Sequence, residues 1–173
     1  MRMAVSRRTS VVATLALMVP AGACQEPVEL ILPTVDEVRG YYSSVGDLEE
    51  VEINGNVASV VVRQSAEQLR RGGALWAEVG PYIYLFSDET RQLFTDYDGL
   101  AGVRVITRTG RTDVGSALLR RDELTNVLWR RSLNIAGQAR RDGTERITLL
   151  EDLIEWGEDH TEFAYNERYT QRR

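Results

Sequence analysis

The residues that could do chemistry are concentrated near the C-terminus, in the segment Glu155-Trp156-Gly157-Glu158-Asp159-His160-Thr161-Glu162. Four glutamates follow the i, i+4, i+7, i+11 spacing that places side chains on one face of a helix: Glu151, Glu155, Glu158 and Glu162. With His160, this acidic stripe could bind a divalent cation or supply a carboxylate acid/base pair. We favour a solvated face whose partners are arginines of the preceding helix: Arg130, Arg131, Arg140 and Arg141.

Three kinds of side chain near this stripe have a functional and a structural interpretation. His160 lies at the border of an apolar stripe, so we favour a tucked, hydrogen-bonded histidine over a catalytic one. Arg131 falls among apolar positions, which predicts burial and pairing with a glutamate of the last helix; the alternative is an anion-binding arginine at a pocket mouth. Several aromatic residues could stack a ligand, although core packing is their commoner role: Trp76, Trp129, Trp156, Tyr82 and Tyr84. The candidate ligand or interaction residues are Arg131, Trp156, Glu158, His160 and Glu162.

The composition removes several enzyme classes. All 21 basic residues are arginine, so the chain has no lysine for a Schiff base, a P-loop or a general base. One histidine and one cysteine, Cys24, do not supply a histidine-rich metal site or an internal disulfide. We therefore assign no catalytic residue, no metal and no cofactor.

The first 23 residues have the pattern of an export signal. Three arginines precede a charge-free run from Val11 to Ala23. A helix of that length spans about 20 Å, which is shorter than the roughly 30 Å hydrocarbon core of a bilayer. We therefore interpret residues 1–23 as a cleaved signal peptide, since Ala21 and Ala23 fit a cleavage site that leaves Cys24 first in the mature chain.

The segment Ala21-Gly22-Ala23-Cys24 resembles the lipobox of bacterial lipoprotein precursors. In that class the cysteine thiol is joined to diacylglycerol and the new amino group is commonly acylated. The resemblance implies an anchor in the lipid bilayer through Cys24, because two or three acyl chains bind stably where one does not. Gln25, directly after the cysteine, resembles the sorting signal that sends such lipoproteins to the outer membrane of a Gram-negative cell. There the protein would face the periplasm. The alternative is cleavage alone with a free Cys24 thiol, since Ala21 stands where leucine is usual.

The charge of the chain argues against nucleic acid as a partner. Cleavage removes three arginines, which changes the net charge from −5 to −8, and an acidic domain gains nothing from counterion release on phosphates. We predict a lipid-anchored extracytoplasmic protein that acts as a structural or interaction module of the cell envelope, with an envelope protein as partner. Two alternatives stay open: a small-ligand binding protein with an arginine and aromatic pocket, and a hydrolase that uses paired carboxylates.

The mature chain divides into a lipidated N-terminus and tether, residues 24–33, and one domain, residues 34–173. Thr34 and Glu37 form a capping-box signature ahead of apolar residues at helical spacing. This pattern predicts a first helix at about residues 35–44.

A first β-hairpin is indicated by alternating residues around Asn54-Gly55, which is typical of a type I′ turn. That turn places Ile53 opposite Asn56 and Val51 opposite Ala58. The apolar residues then share one face: Val51, Ile53, Ala58, Val60 and Val62.

A second hairpin is predicted along Val103–Arg108 and Val114–Leu119, with a type II′ turn at Gly110-Arg111. This register places Arg108 opposite Asp113. Two antiparallel hairpins with one apolar face each are expected to join in one sheet.

Helices account for the rest of the domain. Between the hairpins we predict a helix kinked or broken at Pro81; the alternative is a strand at 82–86 followed by a helix capped by Ser87. Asp122 is predicted to cap a helix to about Arg141, and a capping box at Thr148 to open a last helix that ends near residue 162. The order α-ββ-α-ββ-α-α predicts an α+β fold, an antiparallel sheet of two hairpins with helices packed on one face.

Overall fold

Five strands and seven α-helices make up residues 30–171, the part of the chain that the computed structural model describes. The predicted signal peptide, the lipobox and Cys24 lie outside the described residues. The strands are β1 Leu48–Asn54, β2 Val57–Arg63, β3 Gly102–Thr109, β4 Thr112–Arg120 and β5 Glu162–Tyr165. The helices are α1 Val35–Tyr41, α2 Ala66–Gly72, α3 Ala74–Leu85, α4 Asp88–Asp96, α5 Asn126–Asp142, α6 Ile147–His160 and α7 Glu167–Thr170. A 3₁₀ turn, Tyr42–Ser44, follows α1.

The sheet is mixed, in the spatial order β1-β2-β3-β4-β5. The fold is therefore α+β as predicted, but the purely antiparallel sheet was wrong, because β2 and β3 run parallel. Helices α2, α3 and α4 connect those two strands, as a parallel pair requires a long crossover. The fifth strand was also missed. Residues 162–165 follow the end of α6 and pair antiparallel with β4.

In the first hairpin, β1 and β2 pair two residues away from the predicted register. Ile53 pairs with Ala58 and Val51 with Val60. Gly55 has a φ of 63° and no non-glycine residue between 30 and 171 has a positive φ, so the turn is not type I′, which needs two. A shift of two residues preserves the face of every side chain, so the predicted apolar face is confirmed.

The second hairpin follows its predicted register. Gly110 has a φ of 59° at the first turn position, and Arg108 pairs with Asp113. The Arg108 Nε donates to Asp113 Oδ1 at 2.7 Å, and its Nη1 donates to Glu50 Oε2 at 3.3 Å. The second ion pair crosses β2, where Val61 is nearly fully buried on this same face of the sheet.

The opposite face of the sheet carries the core. Helix α3 contacts β3 and β4 there, and α5 and α6 pack around it. Side chains on the central strands are fully buried at alternate positions: Ala58, Val60, Val62, Val103, Val105, Thr107, Ala117 and Leu119.

Helix α3 continues through Pro81 to Leu85, so the helical interpretation of residues 82–86 is confirmed for all but Phe86, which is the C-terminal cap. Proline removes one backbone donor, but Pro81, Tyr82 and Leu85 are buried in the core, and their packing favours continuing the helix. Ser87 caps the next helix, α4, by accepting from the Thr90 N–H.

The starts of the remaining helices correct two predictions. The capping box of Thr34 and Glu37 is present at α1. Helix α5 is capped by Thr125, however, and not by Asp122. Helix α6 begins at Ile147 without a side-chain cap, so the capping box predicted at Thr148 was wrong. No helix among residues 30–171 is both long and apolar enough to cross a membrane.

Candidate functional site

The predicted acidic stripe is shorter than expected. Glu151, Glu155 and Glu158 are exposed on α6, but Glu162 belongs to β5. Within residues 30–171, none of these glutamates forms an ion pair with the arginines of α5, and no cluster of His, Cys, Asp and Glu suited to a metal occurs. Glu162 instead accepts from Arg120 of β4 at 3.4 Å.

Glu158 ends a chain of hydroxyl contacts that ties β5 to α3. The Tyr165 hydroxyl donates to Glu158 Oε1 at 3.1 Å and lies 2.6 Å from the Tyr82 hydroxyl. Burial raises the pKa of Tyr82 to about 12, and burial also raises the pKa of Tyr165. Both phenols therefore stay protonated and serve as hydrogen-bond donors. Glu158 and Glu162 thus have different hydrogen-bond partners, Tyr165 and Arg120.

Three of the predicted site residues do come together, in a stack centred on Trp156. The Arg131 guanidinium lies over the indole ring at 4.3 Å, and the His160 ring lies 4.2 Å from it. The indole Nε1 donates to Ser132 Oγ at 2.8 Å. The prediction that Arg131 is buried and paired with a glutamate was wrong. Its side chain is exposed, because a guanidinium that lies on an aromatic face keeps its charge in water.

His160 is tucked and hydrogen-bonded, as predicted. Its side chain is 18% exposed, and its Nδ1 lies 3.4 Å from Glu123 Oε1. The stack Arg131–Trp156–His160–Glu123 therefore joins α5, α6 and the segment before α5 by contacts that account for each member.

A shallow groove of about 580 Å³ lies beside the stack, between α5 and α6. Its lining consists of Arg131, Asn134, Ile135, Asp152, Glu155, Trp156 and Asp159. In the described part of the chain, no buried side-chain polar atom at this groove lacks a partner. The groove brings two predicted residues together, but nothing in it calls for a ligand.

A second groove lies where β1 begins, β2 ends and α3 meets α5. Two adjoining cavities of about 320 and 250 Å³ form it. We call it the Gln64 groove and define it by six lining residues: Asp47, Gln64, Trp76, Ile83, Tyr84 and Arg140. Four of these line both cavities, namely Asp47, Ile83, Tyr84 and Arg140.

Gln64 carries an unsatisfied hydrogen-bond acceptor. The residue is 8% exposed, and its Nε2 donates to the Trp76 carbonyl oxygen at 2.5 Å. A carbonyl only accepts, so this contact fixes which end of the amide faces α3. The Oε1 is left as the one buried side-chain polar atom without a partner among residues 30–171. Such an atom costs about 1–3 kcal/mol. Its accessible surface is below 1 Å², so it faces the packed interior and not the open groove.

Opposite charges line the same groove. In the described part of the chain, neither Asp47 nor Arg140 forms an ion pair, with each other or with another residue. The Arg140 Nη2 donates to the Phe86 carbonyl oxygen at 3.0 Å. Burial raises the pKa of Tyr84, Asp47 adds to the rise and Arg140 opposes it.

The sequence pointed to this groove only in part. Trp76 and Tyr84 belonged to the predicted aromatic set, and both line it, whereas Trp129, Trp156 and Tyr82 are buried in the core. Asp47 and Gln64 were missed. The available signal was a polar glutamine two residues after the last buried valine of β2, at the carboxyl end of a strand with a parallel neighbour.

Comparison with known proteins identifies no relative. No protein-family model, no curated protein and no solved structure matches the chain. The candidate residues are therefore assigned from their contacts, burial and charge.

Proposed function

We propose that the protein is a lipid-anchored extracytoplasmic protein of the cell envelope that acts as a structural or interaction module. The observation that carries this proposal is the position of the lone cysteine, Cys24, directly after an export signal and an Ala-x-Ala cleavage site. In a Gram-negative cell the expected location is the outer membrane, facing the periplasm. An acidic mature chain needs such a lipid for membrane affinity.

The contacts of the described residues support binding over chemistry. Glu158 and Glu162 are exposed and have separate partners, Tyr165 and Arg120. His160 and Arg131 are engaged with Trp156. A hydrolase that uses two carboxyls needs them to face each other across a cleft, at about 5 to 9 Å. These residues instead stabilise the packing of α5, α6 and β5.

The start of the described chain fits a domain held close to a bilayer. The Ile31 N–H donates to Asp98 Oδ1 at 2.7 Å, and the Ile31 carbonyl accepts from the Gly99 N–H at 2.8 Å. The seven Cα–Cα steps from Cys24 to Ile31 span at most about 25 Å. Leu30, Ile31 and Leu32 are exposed apolar residues at this point, where a lipid interface would cover them.

Metabolic labelling with radioactive palmitate tests the anchor. The parent chain should incorporate label and fractionate with membranes, and Cys24→Ser should do neither. Gln25→Ser is the matched control and should label like the parent, because it changes the adjacent residue and keeps the thiol. Equal labelling of the parent and Cys24→Ser would contradict the proposal. So would a parent whose mature Cys24 thiol reacts with maleimide, because that result indicates cleavage without acylation.

A further inference from the structure

The Gln64 groove is lined by charges of both signs that form no ion pair within residues 30–171: Asp47 and Arg140 at both cavities, and Glu89 at the smaller one. Asp47 and Arg140 both line the two adjoining cavities, and their charged groups do not pair with each other. Arg63, which also lines the groove, is already paired with Glu49 at 2.7 Å. A ligand that carries one charge alone would meet one attractive and one repulsive group. A ligand with both charges matches both groups.

The polar atoms of the groove sort by charge. The Asp47 carboxylate lines both cavities as an acceptor, and an ammonium group has three N–H donors to offer it. Arg140 supplies the guanidinium that a carboxylate prefers, and Ser65 and Gln68 line the same cavity with further donors. The groove therefore offers the Asp47 carboxylate to an ammonium group, and hydrogen-bond donors to a carboxylate.

The volume of the groove limits the size of the ligand, and its apolar lining indicates what kind of side chain the ligand carries. Cavities of about 320 and 250 Å³ are at the low end of the range for small-molecule sites. Trp76, Ile83 and the ring of Tyr84 offer an apolar surface to a side chain. We propose that the Gln64 groove binds a small zwitterion of the amino-acid class, with its ammonium at Asp47 and its carboxylate at Arg140.

This proposal is independent of the membrane anchor. Binding is measured on the purified full chain, so a protein without lipid can still bind the zwitterion, and a lipidated protein can fail to. The two proposals therefore fail separately.

Isothermal titration with the L-amino acids and a set of dipeptides tests the proposal. At least one of these zwitterions should bind the parent chain, with a change in tryptophan fluorescence because Trp76 lines the groove. Arg140→Gln and Asp47→Asn should each weaken binding about ten- to hundredfold, since each removes one charge-assisted contact. The matched controls Arg141→Gln and Asp36→Asn remove exposed charges outside the lining and should bind like the parent.

Analogues of the best ligand that lack one of its two charges show which protein residue each charged end of the ligand contacts. The decarboxylated amine should bind Arg140→Gln as well as it binds the parent, and the deaminated acid should bind Asp47→Asn as well as it binds the parent. Asp47 and Arg140 are exposed, so neither change should prevent folding. The proposal is overturned if no zwitterion of the panel binds the parent. It is equally overturned if the groove variants and their controls bind alike.

Discussion

Trp156 contacts two residues that the sequence offered as candidate functional residues, Arg131 and His160. Its ring contacts both the Arg131 guanidinium and the His160 ring, and its Nε1 donates to Ser132. Gln64 is the contrary case, because one end of its buried amide has a partner and the other has none. At this scale, the hydrogen-bond partner of each polar atom distinguishes a structural residue from a candidate binding residue.

Glu37 makes the stability of α1 depend on pH. Its carboxylate accepts from the Thr34 backbone N–H and hydroxyl, which holds the pKa of Glu37 below its usual value of 4.5. A carboxyl with a lowered folded-state pKa stabilises the fold above its unfolded-state pKa, and this stabilisation disappears as the pH falls through the folded value. We expect the free energy of unfolding to fall below about pH 4.5 and Glu37→Gln to reduce that dependence.

Urea unfolding between pH 7 and pH 3 measures the effect. Asp36→Asn, a change to the neighbouring acid of the same turn, should retain the slope of the parent. If both variants reduced the slope equally, the capping box would not be its source.

At the scale of elements, helix boundaries depend on distant contacts. Asp122 and Thr125 are both suitable capping residues, and local sequence does not choose between them. Arg121 makes the choice, because its guanidinium donates to the carbonyl oxygens of Phe94, Tyr97 and Leu100. These contacts hold the chain before residue 125 outside the helix.

Thr125→Ala should therefore destabilise the protein by about 1 kcal/mol, because the Thr125 hydroxyl accepts from the Leu128 N–H at the start of α5. Asp122→Ala should leave the free energy of unfolding nearly unchanged. Urea denaturation of both variants tests this, and a larger loss for Asp122→Ala would contradict the assigned cap.

At the scale of the whole molecule, α3 organises the fold. It crosses from β2 to the parallel strand β3, lies on the sheet and contacts α6 on its other side. Close approach of α3 and α6 depends on Gly157, since a Cβ there would come within 2.5 Å of the Tyr82 ring. The long-range packing of the domain thus depends on a position without a side chain.

Glycine-to-alanine substitutions on α5 and α6 distinguish the effect of this close packing on stability from the effect of helix propensity. Gly157→Ala should destabilise the protein by about 1–3 kcal/mol, because the added methyl overlaps a fully buried ring. Gly137→Ala on α5 should stabilise by about 0.5–1 kcal/mol, since its Cβ would meet only the Arg141 Nη1 at 3.4 Å. Thermal unfolding measures both, and equal effects would contradict the close contact between α3 and α6.

The local pattern of residues was enough to predict both hairpins, the Arg108–Asp113 pair, the capping box at Thr34 and helical structure on both sides of Pro81, but not that the helix continues through it. Turn chemistry and periodicity act over a few residues, so neighbouring residues carry that information. The parallel pairing of β2 and β3, the fifth strand and the exposure of Arg131 were settled by tertiary contacts. So was the burial of the Gln64 side-chain Oε1 without a donor. Burial and unmet hydrogen bonds are produced by residues far apart in the chain, whose meeting no local periodicity encodes.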